Sequence, residues 1–154
     1  MGDEKIKFQI LSRDKYEKTL IAFLKEVDQE FAVPLSARVS IESYVEKLFI
    51  NGWIIGAIEQ NKICGICGGY INDWITKYSF ITCLVVSQNY RNKGIGKQLF
   101  MEFAKLSKNK GMDEIHLSTN KRNRSANILY QNLKMKKLSE TFDEIFYSIS
   151  LAEL

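Results

Sequence analysis

Leu84 to Phe103, LVVSQNYRNKGIGKQLFMEF, is the stretch whose reading decides the fold. An apolar run (Phe80, Ile81, Leu84, Val85, Val86) passes through polar Ser87-Gln88-Asn89 into Arg91-Asn92-Lys93-Gly94-Ile95-Gly96 and then into a helical pattern. Ile95, Leu99, Phe103 and Leu106 recur at spacings of four, four and three, one apolar stripe aimed at a core, and Gly111 closes the segment as a C-cap would. The spacing predicts a strand, a glycine loop and a helix that begins at the glycines. A helix N-terminus offers unpaired N–H groups and a partial positive charge, and glycine lets an anion approach that backbone. Two familiar phosphate loops fail on spacing. The dinucleotide pattern needs glycine where Leu99 stands, and a Walker loop needs glycine at Arg91 and Ser or Thr at Gln98.

What remains, R-x-x-G-x-G directly after a buried strand, resembles the acyl-CoA pyrophosphate loop of the GNAT superfamily of N-acyltransferases. Leu84, Val86, Arg91, Gly94, Ile95 and Gly96 fall where that family's L-x-V-x-x-x-x-R-x-x-G-I-G pattern wants them, with Gln88 where many members carry proline. Further on, Asn123-x-x-Ala126-x-x-Leu129-Tyr130 is similar to the family's N-x-x-A-x-x-L-Y helix, although Lys134-Met135 replaces the Gly-Phe that usually follows. The resemblance spans nearly the whole chain and is strongest from Leu84 to Leu133.

Length and composition fit that reading. At 154 residues, 45% apolar and 26% charged, the chain suits one domain over 1–154 with a real core. The N-terminus mixes both charges and no stretch approaches eighteen uninterrupted apolar residues, so a cytoplasmic protein without a membrane partner is expected. Residues 91–137 hold twelve Lys and Arg against three Asp and Glu, a net +9, while the remainder holds ten against fifteen, a net −5. A field of that sign around the glycine loop would draw in a polyanion such as CoA. Aromatics do not interleave with these cations as on a single-strand platform, and nucleic acid is not the expected partner. Cys64, Cys67 and Cys83 form no disulfide framework. Residues three apart on a strand face opposite sides, so Cys64 and Cys67 read as separate core thiols, and with one histidine, His116, no metal site is expected.

In chain order, Ile6 to Ile10 reads as a strand and Tyr16, Leu20, Phe23, Leu24 and Val27 as a helix over about 14–27. Asp28 to Val39, with the only proline, reads as a loop, after which Ser40 caps a second helix. Trp53 to Glu59 and Ile63 to Ile71 form a hairpin about Gln60-Asn61, and Tyr78 to Val86 feeds the glycine loop. Ile115 to Thr119, a helix capped by Asn123, and strands at Met135 to Ser139 and Ile145 to Leu151 complete the order βααβββαβαββ. This predicts an α/β domain, a mixed and mostly antiparallel sheet with helices on both faces, the order the resemblance also implies.

The resemblance implies transfer of an acetyl group from acetyl-CoA to a primary amine of a small molecule, such as an amino sugar or amino acid. The amine must lose a proton, the developing oxyanion needs donors and the departing thiolate needs a proton. By resemblance, backbone N–H groups at Leu84, Val85 and Val86 polarise the thioester, and Arg91, Asn92, Lys93, Gly94, Ile95, Gly96 and Lys97 bind pyrophosphate. Tyr130 would protonate the sulfur, and Asn123 would contact the pantetheine arm or simply cap its helix. The base is open among carboxylates, with Asp73 and Glu30 the nominees and Asp28 and Glu59 also in plausible positions. Asp28, Glu30 and Arg38 sit in the loop that in the family borders the acceptor pocket. A non-catalytic acyl-CoA-binding regulator and a protein or peptide N-acetyltransferase are the alternatives, and both monomer and homodimer stay open.

Overall fold

The structure, a computed structural model, describes residues 5–154. Its elements follow the expected order: β1 (Lys7–Ile10), α1 (Arg13–Val27), α2 (Ile41–Asn51), β2 (Trp53–Glu59), β3 (Lys62–Asp73), β4 (Tyr78–Val86), α3 (Ile95–Asn109), β5 (Glu114–Asn120), α4 (Arg124–Asn132), β6 (Lys136–Glu140) and β7 (Glu144–Ser150). Local chemistry sets the boundaries. Ser40 accepts from the Ser43 N–H at 3.2 Å to start α2, and Gln60 and Asn61 take positive φ (52° and 63°) to close the β2–β3 hairpin. The loop between α1 and α2 carries short 3-10 turns at Asp28–Glu30 and Leu35–Ala37.

Seven strands form one sheet in the order β1-β2-β3-β4-β5-β7-β6, antiparallel except for β4 against β5. Each face buries one apolar layer. Leu20, Leu24, Val27, Val45 and Leu48 of α1 and α2 cover Ile54, Ile58, Ile63, Ile66 and Val85. Ile95, Leu99, Phe100 and Phe103 of α3, with Tyr130 of α4, cover Ile55, Ala57, Cys67, Ile81, Leu117 and Tyr147.

Two bulges alter what alternation alone predicts. In β3 the ladder steps from Gly65↔Ala57 to Ile63↔Ile58, leaving Cys64 without a partner. The expectation that Cys64 and Cys67 face opposite sides is therefore corrected: the extra residue resets the pleat, and both thiols enter the core under α3. They are free thiols all the same. In β4 the ladder steps from Ile81↔Gly69 to Cys83↔Gly68, leaving Thr82 unpaired. Gly69 is needed there, because a Cβ would lie 2.0 Å from the Phe80 carbonyl oxygen.

The parallel pair is short. β4 and β5 match only at Tyr78↔Glu114, Ser79↔Ile115 and Phe80↔His116. Beyond His116 the strands part, and the β4 edge from Ile81 to Val86 has no strand partner on that side. Backbone polar groups are thereby left to meet a ligand at the middle of the sheet.

Candidate active site

The glycine loop sits at the open end of this fork. Ser87 ends β4, a 3-10 turn spans Gln88–Tyr90, and Asn92 adopts φ 62°. Gly94 stands at the N-cap of α3 with φ 79° and no side chain caps it. The first backbone bond of the helix runs from Gln98 to the Gly94 carbonyl at 3.1 Å, so the N–H groups of Ile95, Gly96 and Lys97 precede the ladder. A Cβ on Gly94 would meet nothing within 4 Å, and one on Gly96 would meet Leu129 Cδ2 at 3.6 Å and Val86 Cγ2 at 3.8 Å. Arg91, Asn92, Lys93 and Lys97 are exposed around it. An open backbone cradle ringed by cations fits a pyrophosphate, and the unpaired edge at Leu84, Val85 and Val86 adjoins it.

A cavity of about 670 Å³ fills the fork. One wall is β4 from Phe80 to Leu84 and the other is β5 from His116 to Asn120, continued by Phe146 and Tyr147 of β7. Directly opposed residues share a face, so His116, Ser118 and Asn120 lie on one side with Ser148, Phe146 and Glu144. Leu117 and Tyr147 point to the other side, into the layer that holds Tyr130. The cavity thus passes through the sheet, from Ala126 and Tyr130 of α4 on one face to the α1–α2 loop on the opposite face.

Tyr130 is 5% exposed and its ring lies 5.6 Å from that of Tyr147. Tyr147 Oη donates to Asn127 Oδ1 at 2.7 Å, and Asn127 Nδ2 donates to the Asn120 and Asn123 carbonyls, pinning α4 to the sheet. No described residue pairs with the Tyr130 hydroxyl, yet among the described residues no buried side-chain polar atom is left sealed without a partner, so that hydroxyl opens into the cavity. Burial pushes its pKa up, which keeps the phenol protonated. Asn123 accepts from the Ala126 N–H at 3.3 Å, capping α4 while lining the cavity.

The nominated carboxylates are held elsewhere. Asp28 accepts from the Ser36 N–H at 3.1 Å and from the Ser36 hydroxyl, which hold its pKa down and fasten the α1–α2 loop. Glu30 is paired with the Arg91 guanidinium, whose Nε also donates to the Val86 carbonyl at 3.0 Å. Asp73 does not reach the cavity: it caps the β3–β4 turn, accepting from the Ile75 and Thr76 N–H groups, opposite Tyr78 and about 13 Å along β4 from Thr82. Glu59 accepts from the Tyr90 hydroxyl at 2.6 Å. Of the acceptor-loop residues, Arg38 lines the cavity, beside Phe31, Val33, Leu35 and Val39.

Sequence reasoning missed three features. Tyr44 of α2 reads as a core-stripe residue, yet its hydroxyl lies 2.6 Å from Thr82 Oγ1 and tethers the β4 bulge. His116 reads as lacking partners for a metal, yet it lines the cavity. Glu144 also lines it, and a single carboxylate at the start of β7 gave no signal for that.

The comparisons agree with this geometry. The model of the acetyltransferase (GNAT) family matches residues 16–135. N-alpha-acetyltransferase 30 of Schizosaccharomyces pombe is 28% identical over 116 residues, 72% of this chain and 76% of the relative. The crystal structure of PaiA N-acetyltransferase from Thermoplasma acidophilum in complex with coenzyme A superposes with a TM-score of 0.77 at 22% identity, covering 95% of this chain and 99% of that one. The ribosomal-protein-S18-alanine N-acetyltransferase of Escherichia coli gives 0.72 at 15% identity, covering 94% of each. With the glycine cradle, the forked sheet and Tyr130 in place, the chain belongs to the acetyltransferase (GNAT) family and is an acyltransferase with acetyl-CoA as its co-substrate.

Proposed function

We propose that the protein acetylates the α-amine of a peptide or protein N-terminus whose first side chains are apolar. The observation that carries this reading is the lining of the acceptor side: Phe31, Val33, Leu35, Val39, Phe80, Leu138 and Phe146 border it, and the charged side chains there are Arg38 and Glu144. An amino sugar would leave its hydroxyls against that apolar wall, and a polyamine would find one carboxylate for several ammonium groups. The N-alpha-acetyltransferase relative supports the same choice. Arg38 favours a second reading, a free amino acid whose carboxylate it would meet.

Acetyl-CoA supplies the acyl carbon, a C–N bond forming as the C–S bond breaks. The chain's own contributions are separable. Arg91, Asn92, Lys93, Gly94, Ile95, Gly96 and Lys97 hold the pyrophosphate. The free β4 edge at Leu84, Val85 and Val86 offers N–H donors where charge develops on the carbonyl oxygen. Tyr130 gives its proton to the departing sulfur.

The test is release of free thiol from acetyl-CoA with a panel of peptides, amino acids, amino sugars and polyamines. Turnover best with peptides of apolar N-terminal sequence supports the reading. Preference for a free amino acid selects the Arg38 reading, and preference for amino sugars or polyamines overturns both.

A further inference from the structure

Resting on the acetyl-transfer reading, we propose that His116 is the general base that deprotonates the acceptor amine, and that Glu114 is its positioning residue. His116 is the chain's single histidine and stands at the apex of the fork, opposite Phe80 in the last pair of the parallel ladder. Its ring is fixed on three sides. It stacks on Tyr78 with centroids 4.0 Å apart, tilts against Phe80 at 5.7 Å, and places Nε2 2.9 Å from Glu114 Oε1. With Nε2–H donating to that carboxylate, the lone pair is on Nδ1, which no described residue engages and which is not sealed from solvent.

Register locates the chemistry beside it. Tyr130 packs on Tyr147, the ladder partner of Leu117, one residue beyond His116, and Thr82 lies two residues beyond Phe80 on β4. His116, Tyr130 and the β4 edge up to Leu84 line one cavity, His116 from the opposite face of the sheet to Tyr130, so on this proposal Nδ1 meets an amine entering from the α1–α2 side directly or through one water. Glu144 is opposite Asn120, about 13 Å from His116 along β5. Glu30 and Asp73 are occupied as described. In the step itself an ammonium N–H bond breaks, its electron pair stays on nitrogen as the attacking lone pair, and the proton passes to Nδ1 and then to solvent.

The groups that face His116 are Glu114 on its own strand and Tyr78 on β4, with Ser148 opposite on β7; Arg38, Tyr44 and Glu144 line the same cavity. The experiment uses a peptide that the parent acetylates, with thiol release followed against pH. His116→Phe keeps a flat ring against Tyr78, and His116→Gln keeps a polar side chain should the first variant not fold. We expect either to lower kcat about 10²- to 10⁴-fold with the KM for acetyl-CoA within threefold, to leave a rate that rises with pH as the amine itself deprotonates, and to recover most activity with an amine weakly basic enough to be neutral already. Glu114→Gln should lower kcat with the KM for acetyl-CoA within threefold, and should lose that defect with the same weakly basic amine, which a merely structural role would not do. A folded His116 variant within threefold of the parent, or one that is equally slow with the weakly basic amine, overturns the assignment. A parent that releases no thiol with any amine overturns the acetyl-transfer reading itself, before any variant is made.

Discussion

At the scale of single residues, Tyr130 and the two glycines make opposite kinds of contribution. Burial raises the Tyr130 pKa, which in water would make the phenol a poorer donor to a thiolate. On the proposed mechanism a thiolate leaving inside the fork would be desolvated too, and its basicity would rise with the phenol's. Tyr130→Phe keeps the ring against Tyr147, and we expect kcat to fall about 10²- to 10⁴-fold while calorimetry finds CoA affinity within a few-fold of the parent; a loss below about threefold would mark Tyr130 as packing only. The glycines separate fold from binding. Gly94 has φ 79°, so Gly94→Ala should cost about 1–2 kcal/mol of stability, read by denaturant unfolding. Gly96 is helical with Leu129 and Val86 at ordinary contact distance from its missing Cβ, so Gly96→Val should unfold near the parent yet bind CoA at least about tenfold more weakly, because the added branches crowd the first helical turn whose N–H groups the proposed pyrophosphate meets. Parental CoA affinity in a folded Gly96→Val would mean that the pyrophosphate lies elsewhere.

At the scale of elements, the α1–α2 loop and the glycine loop are joined by Glu30 and Arg91. Placing Asp28, Glu30 and Arg38 at the acceptor pocket, as the resemblance implies, predicts that removing charge there raises the amine KM and spares that of acetyl-CoA. For Glu30 the pairing argues the reverse. Its carboxylate neutralises a cation that would otherwise meet phosphate, and the pair is half exposed, so it contributes about 0–1 kcal/mol to stability. Glu30→Gln should therefore tighten CoA about 2- to 5-fold with little change in melting temperature. Unchanged CoA affinity, with a raised amine KM instead, would return Glu30 to the acceptor side. The glycine loop, the capping Asn123 and the Tyr130 helix were legible in the sequence because each is a local pattern with its own spacing. The long-range side-chain partners were not, since Glu30 meets Arg91 and Tyr44 meets Thr82 only once distant elements pack.

At the scale of the whole molecule, the element order was legible because each segment carried its own period and stop signal, from the Ser40 cap to the Gln60-Asn61 turn. The fork and the bulges at Cys64 and Thr82 were not, because they are facts of strand pairing, and the run SFITCLVV reads the same whether or not Thr82 is paired. The fold's dependence on its carboxylates leads to the last expectation. Asp28 is held below its ordinary pKa by the Ser36 hydroxyl and N–H, Asp73 by Thr76 and Ile75, and Glu140 is lowered to about 2 by Lys121 and Lys137. A carboxylate whose folded pKa lies below its unfolded value stabilises the fold fully above the unfolded value, near 4, and loses that contribution as pH falls through the folded one. The melting temperature should therefore stay flat from pH 7 to about 5 and fall progressively from about 4 toward 2. Asp28→Asn places an uncharged acceptor before the same Ser36 donors, so the variant should melt lower than the parent at pH 7 and lose less on acidification, the two curves converging near pH 2. Parallel curves over that range would show that Asp28 carries none of the acid sensitivity, and that its bonds to Ser36 do not favour the charged form.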